Sequence, residues 1–270
     1  MILLFKQCTF TLKLNINSSL NMKHITAVSI LILLSLAVFS QAKKYPEKLL
    51  FIGNSFTYYN GGLEKHFMLF SASAKKEKKI IATRATKGGA TLRILHNQKW
   101  VHDSIRSGYD VVVLQEDIPE LTEHNTTAFF EYASLFNKEI QGTGSKTVLF
   151  MAWPYDRLNW ISMDQIAEAH QFIGKKLGVP VAPVGLAFMN ALKERPSLAM
   201  LGKDKEHETI HGTYLAISVI YATIYGKSPV GANYRPTGIS AEEAEFLQKI
   251  AWKTVKNWNL LMKNQQSSSN

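Results

Sequence analysis

The chain has 270 residues, 46% of them apolar, and 31 Lys+Arg against 21 Asp+Glu give a formal net charge of +10. That composition describes a globular chain with material for one sizeable core, and no linker-like stretch divides it, so one domain is expected. The charge does not make it a nucleic-acid binder. Lys6, Lys13 and Lys23 lie in an N-terminal segment without acidic residues, which leaves +7 for the rest. The Lys75–Lys79 cluster contains Glu77 and reads as a solvated helix end, and no nucleic-acid motif accompanies it.

The N-terminus reads as a targeting segment. Met22-Lys23-His24 precedes the apolar run Ile25–Phe39 and then Ser40-Gln41-Ala42, which is the secretory pattern of positive start, apolar middle and small residues at the cleavage site. The run is shorter than the ~20 residues of a spanning helix, so cleavage after Ala42 is expected rather than a stable membrane anchor. Residues 1–42 are then extension and signal peptide, with Met1 or Met22 as the start, and 43–270 form the exported domain, periplasmic or secreted. The only cysteine, Cys8, falls in the removed part, so the mature chain has no disulfide, thiol nucleophile or cysteine metal site.

Strand and helix candidates then alternate. Leu49–Gly53 is a short apolar run ended by glycine, a buried strand, with a helix expected over Leu63–Ala74. Ile80–Thr86 is a second strand, ended by Lys87-Gly88-Gly89, and Thr91–Ser107 a helix. Asp110–Gln115 is the clearest buried strand; His124–Gln141 has helical spacing, and Thr147–Ala152 is a fourth strand. Asp164–Leu177 is a helix with Gly178 just past its end. Val179–Val184 is a fifth strand whose prolines suggest an edge position. Helices follow over Ala187–Lys193, Gly212–Tyr225 and Ala241–Lys263, and the polar tail Gln265–Asn270 is expected to fray. Five strands alternating with helices predict an α/β fold with a parallel sheet covered on both faces.

Strand ends of such a sheet converge on one edge, where open α/β sheets hold their ligands. The first strand delivers Ser55, whose turn can expose a hydroxyl or simply cap a helix. The second delivers Gly88-Gly89, either a place where backbone N–H groups approach a substrate or an ordinary helix-start turn. The third delivers Gln115, whose amide can point at an oxyanion or bond a neighbouring loop. The fourth delivers Trp153 and Tyr155, as pocket wall or as core. Downstream, Asp204 and His207 stand three apart in a polar loop, a spacing that lets the aspartate bond Nδ1–H while Nε2 faces a serine. A charged, solvent-facing helix entry has the same composition.

His207-Glu208-Thr209-Ile210-His211 also satisfies H-E-x-x-H, the zinc peptidase motif, with Glu242, Glu243 or Glu245 as third ligand. Gly212 and Thr213 directly after the second histidine are poor helix formers, and the match leaves Ser55, Gln115 and Asp204 unexplained.

Taken together, these segments resemble the GDSL/SGNH hydrolase family. Gly53-Asn54-Ser55-Phe56-Thr57 matches in form its first block, Gly-Asp-Ser-Leu-Ser, and Asp204-Lys205-Glu206-His207 its last, Asp-x-x-His. The resemblance implies a three-layer α/β/α, flavodoxin-like fold with a five-stranded parallel sheet. It implies Ser55 as nucleophile, His207 as base and Asp204 as its partner. The second-block glycine falls on Gly88 or Gly89, taken as Gly89. The third block, Gly-x-Asn-Asp, is replaced by Leu114-Gln115-Glu116-Asp117, nearer the Gln-Gly-Glu of sialate and xylan acetylesterase relatives. The implied oxyanion donors are therefore Ser55, Gly89 and Gln115, with Asn54, Gly88, Trp153 and Tyr155 around the substrate. No cofactor and no metal are required. The expected activity is ester hydrolysis through an acyl-enzyme, on O-acetyl groups of carbohydrate or on lipid or aryl esters, with Tyr58, Tyr59, Trp153 and Tyr155 available to stack on sugar rings. Because the third block is altered, a non-catalytic carbohydrate-binding module on the same scaffold is the other reading.

Overall fold

The strand β1 (Lys48–Gly53) is buried from Leu49 onward, and β3 (Val111–Gln115) is buried throughout. Strands with no solvent-facing side need helices on both faces, and the rest of the fold supplies them. The computed structural model describes residues 45–74, 79–122 and 126–267. The expected signal peptide, most of the Lys75–Lys79 cluster, the start of the helix expected from His124 and the last three residues lie outside these.

With β2 (Ile81–Thr86), β4 (Lys146–Phe150) and β5 (Val181–Ala182), the strands form one five-stranded sheet in the order β2-β1-β3-β4-β5, every pairing parallel. The chain leaves β1 for β2 on one side and later adds β3 on the other. The strand order therefore reverses at β1, and the crevice beyond the carboxyl ends of β1 and β3 is the place where a ligand fits between diverging connections.

One layer of helices holds α2 (Leu63–Ala74), α8 (Val184–Glu194), α9 (Ile210–Tyr225) and α10 (Ala241–Ser267); the other holds α3 (Leu92–His96), α4 (Lys99–Arg106), α5 (Ile118–Thr122), α6 (Thr127–Gly142) and α7 (Met163–Leu177). A four-residue helix α1 (Ser55–Tyr58) follows β1 directly. Helix α9 is buried from Gly212 to Ala222, as a helix apolar on every side must be. Among the described residues no helix is long and apolar enough to cross a membrane.

The single helix expected over Thr91–Ser107 is two. Asn97 Nδ2 donates to the Arg93 carbonyl (3.0 Å) and Gln98 Nε2 to the Ile94 carbonyl (3.3 Å), so side chains take bonds that the backbone would otherwise make. The expected strand Val179–Val184 shrinks to two residues because Pro180 and Pro183 cannot donate to a ladder, and α8 starts immediately after Pro183. Its position at the sheet edge is the one prolines allow. Helices α1 and α5 are too short to show a period, and the sequence pattern did not reveal them. Helix α10 runs past Lys263 to Ser267.

Candidate active site

Gly53 ends β1 with no room for a side chain: a Cβ there would meet Gln115 Cβ at 2.9 Å and collide with Thr57 Oγ1 as well. The next residue, Asn54, is buried and held on three sides. Its N–H donates to Gln115 Oε1 (2.9 Å), its Oδ1 caps α1 by accepting from Phe56 N–H (3.1 Å), and its Nδ2 donates to Asp117 Oδ1 (2.7 Å). The turn so fixed lifts the half-buried Ser55 onto the carboxyl edge of the sheet.

The facing loop, residues 202–207, closes on itself. Gly202 N–H donates to the His207 carbonyl (2.7 Å), and Thr209 N–H to the Met200 carbonyl (2.9 Å). Lys205 takes a left-handed φ of 57° within it. Trp153 Nε1–H donates to the Glu206 carbonyl (3.1 Å), and Arg157 grips the Glu206 carboxylate through Nε (2.7 Å) and Nη2 (2.9 Å). Two anchors from the segment after β4 thus hold the loop in place.

Across the gap, His207 Nε2 lies 2.8 Å from Ser55 Oγ and its Nδ1 2.8 Å from Asp204 Oδ2. Asp204 Oδ1 accepts the N–H groups of Glu206 and His207, both at 3.1 Å. The hydrogen bond from His207, helped by these backbone donors, holds the Asp204 carboxyl below its usual range. A carboxylate at Nδ1 keeps the proton there and leaves Nε2 as an acceptor aimed at the hydroxyl. Tyr59 stacks on the imidazole (4.5 Å between ring centroids, 17° between planes), and Phe56 meets it edge-on at 5.7 Å. Ser55, His207 and Asp204 are therefore contiguous, in the order that acyl transfer to a serine requires.

The Lys87–Ala90 turn, closed by Ala90 N–H to the Lys87 carbonyl (3.2 Å), lies beside this chain because Lys87 N–H donates to the Gly53 carbonyl (3.3 Å). Gly89 has φ +59° and open space where a Cβ would point, whereas Gly88 sits under the Tyr58 hydroxyl. Among the described residues, neither the Ser55 nor the Gly89 N–H donates to an internal acceptor. Each of these two turns thus keeps a backbone donor unused.

Four readings need correction. Gln115 does not offer its amide to a substrate: it is fully buried, its Oε1 accepts from Asn54 N–H and Thr57 Oγ1, and its Nε2 donates to the Glu116 carbonyl (2.7 Å). It braces the serine turn from below. Trp153 and Tyr155 do not form a sugar platform, because they are 0% and 4% exposed. Trp153 stacks on Phe188 at 4.1 Å and supports the histidine loop; the Tyr155 hydroxyl accepts from Arg157 (3.2 Å). Asn54 and Gly88 are likewise structural neighbours of the site, Asn54 with its side chain fully engaged. The zinc arrangement is not formed either. His207 precedes the start of α9 and has both nitrogens engaged, Glu208 is buried, and His211 faces Glu243 at 3.3 Å. Among the described residues no three His, Cys, Asp or Glu side chains gather as metal ligands.

Sequence reasoning missed Glu206, Arg157 and Tyr59 as supports of the base, and no spacing rule links Arg157 to a carboxylate 49 residues on. It also missed Asp117, which burial pushes up to about 6.

The fold is that of the GDSL/SGNH hydrolases. A DUF4886 family protein from Bacteroides uniformis superposes with a TM-score of 0.57 at 17% identity, over 77% of this chain and 94% of that one. Axe2, an acetylxylan esterase from Geobacillus stearothermophilus, gives 0.54 at 20% identity over 66% and 94%. A protein from Parabacteroides merdae assigned as a GDSL-like lipase gives 0.55 at 15% identity over 68% and 98%. No family model matches the chain, and no curated protein matches it by sequence.

Proposed function

We propose that this protein is a serine esterase that hydrolyses carboxylic esters through an acyl-enzyme. The observation carrying this reading is the unbroken line Ser55 Oγ, His207 and Asp204, each link 2.8 Å, assembled from segments 152 residues apart. Ser55 Oγ attacks the ester carbonyl while His207 Nε2 takes its proton, and Asp204 balances the imidazolium charge. The tetrahedral oxyanion accepts from the N–H groups of Ser55 and Gly89. His207 returns the proton to the leaving alkoxide, which departs as the alcohol. Water, deprotonated by the same imidazole, then attacks the acyl-Ser55, and the carboxylic acid and the free serine are released.

For the substrate, the acetylxylan esterase among the structural neighbours supports O-acetylated carbohydrate, and the secretory pattern of residues 22–42 supports action outside the cytoplasm. With Trp153 and Tyr155 buried, recognition falls to the exposed rim, where Tyr59 is 38% exposed.

The test is hydrolysis of p-nitrophenyl acetate by the wild type and by Ser55→Ala, with a fluorophosphonate adduct mapped by mass spectrometry. The adduct belongs on Ser55, and turnover disappears in the variant. Unchanged turnover in folded Ser55→Ala refutes the mechanism. A higher kcat/KM for release of acetate from acetylated xylo-oligosaccharide than for release of p-nitrophenol from p-nitrophenyl octanoate supports the carbohydrate assignment, and the reverse order removes it.

A further inference from the structure

Glu116 is a carboxyl group that the mechanism does not use, in a place where a carboxyl group is costly. It is 2% exposed and directly follows β3. Its Oε1 accepts two backbone N–H groups, from Leu92 at 2.9 Å and from Asp117 at 2.7 Å, while its Oε2 is buried and has no partner among the described residues. Isolated polar atoms in the interior are unfavourable, so a leucine of similar size would serve packing better. What the carboxyl does instead is visible from its two donors.

Leu92 lies three residues after Gly89. The Lys87–Ala90 turn is fixed at its front by Lys87 N–H on the Gly53 carbonyl, and at its rear by Leu92 N–H on Glu116. The second donor, Asp117 N–H, belongs to the residue whose carboxylate holds Asn54 Nδ2 in the serine turn. One oxygen therefore ties the segment carrying Gly89 to the segment that positions Ser55.

We propose that Glu116 is a positioning residue that sets the Gly89 N–H against the oxyanion formed at Ser55, an inference that rests on the serine esterase reading. Its side chain does not touch substrate. Burial pushes its carboxyl up to about 8, so at neutral pH it is the uncharged acid, and an amide can reproduce its acceptor oxygen. The charged groups around it are Asp117 beside it, Glu120 on α5 and Arg93 on α3, which pairs with Glu120 at 2.9 Å. Ionisation adds a negative charge beneath the turn that receives the oxyanion and so opposes the reaction.

The experiment compares wild type, Glu116→Gln and Glu116→Leu on p-nitrophenyl acetate, with circular dichroism to confirm folding and fluorophosphonate labelling of Ser55 in each. A misplaced oxyanion donor costs roughly 10²-fold in kcat. Glu116→Leu is expected to show that loss with KM unchanged, while Glu116→Gln keeps kcat near wild type. A folded Glu116→Leu with wild-type kcat, or with a raised KM alone, overturns the inference while leaving the esterase intact. Wild type that neither turns over nor labels at Ser55 refutes the esterase reading and this inference with it. If Glu116→Leu does not fold, the pH profiles decide: kcat of the wild type falls as pH rises through about 8, and that of Glu116→Gln does not. A shared decline, or none in either, overturns the proposal.

Discussion

Asp204→Asn changes one atom of the site and leaves the rest of its loop in place. Asparagine Oδ1 still accepts the Glu206 and His207 N–H groups, now at 3.1 Å. The new Nδ2 stands where Oδ2 lies, 2.8 Å from His207 Nδ1. Two donors cannot face each other, so Nδ1 becomes the acceptor and the ring proton moves to Nε2. That nitrogen then presents a hydrogen to Ser55 Oγ and cannot act as base. A positioned general base contributes ~10²–10⁴ in rate, about 3–5 kcal/mol of barrier. The Asp204 side chain is 45% exposed, so water competes for Nδ1 and a fraction of molecules keeps the useful tautomer. The expected loss in kcat is therefore in the lower half of that range, ~10²–10³. The assay is steady-state hydrolysis of p-nitrophenyl acetate beside a thermal melt, which should barely move because the loop bonds survive. A variant that folds normally and keeps kcat within about threefold of wild type refutes the assignment of Asp204 as the orienting partner.

Two further predictions concern stability. Trp153→Ala removes a fully buried ring stacked on Phe188 and should destabilise by ~3–5 kcal/mol, lowering the melting temperature by about 10 °C. Trp153→Phe keeps an aromatic ring against Phe188 and loses the bond to Glu206, about 1 kcal/mol, together with the buried atoms of the second ring, so it should cost clearly less than Trp153→Ala; equal damage from both in calorimetry refutes this division of roles. His170 is buried against Phe129, and burial lowers its pKa to about 4 from 6.5. The unfolded chain therefore takes up a proton that the folded chain refuses. Stability is full above about pH 6.5 and declines as pH falls towards about 4, by up to ~3 kcal/mol. Urea titrations across that window should show the decline, and His170→Leu should lack it.

The sheet was legible because β1 and β3 are apolar without interruption, and because Gly53 and the Gly88-Gly89 pair mark where strands stop. Ser55 was legible at the end of β1 for the same reason, whereas Asp204 and His207, in a loop well past β5, were legible only through their three-residue spacing and the resemblance of that block. Direction was not legible. Gln115 has the donor that an oxyanion needs, but its amide turns inward because Asn54 N–H and Thr57 Oγ1 supply partners there. Trp153 and Tyr155 follow β4 at the right level, yet Phe56 and Phe188 draw the indole into the core. Orientations of this kind depend on partners far along the chain, and residue type and spacing do not carry them.

On the proposed mechanism, Ser55 lies near the start of the described chain, and His207 joins it only after all five strands have been laid down. A nascent polypeptide that has emerged as far as β5 holds the serine but has nothing to deprotonate it. An adduct on Ser55 consequently counts only those molecules whose last third has closed onto the first strand. The same reagent that tests chemistry thus also reports the completion of folding.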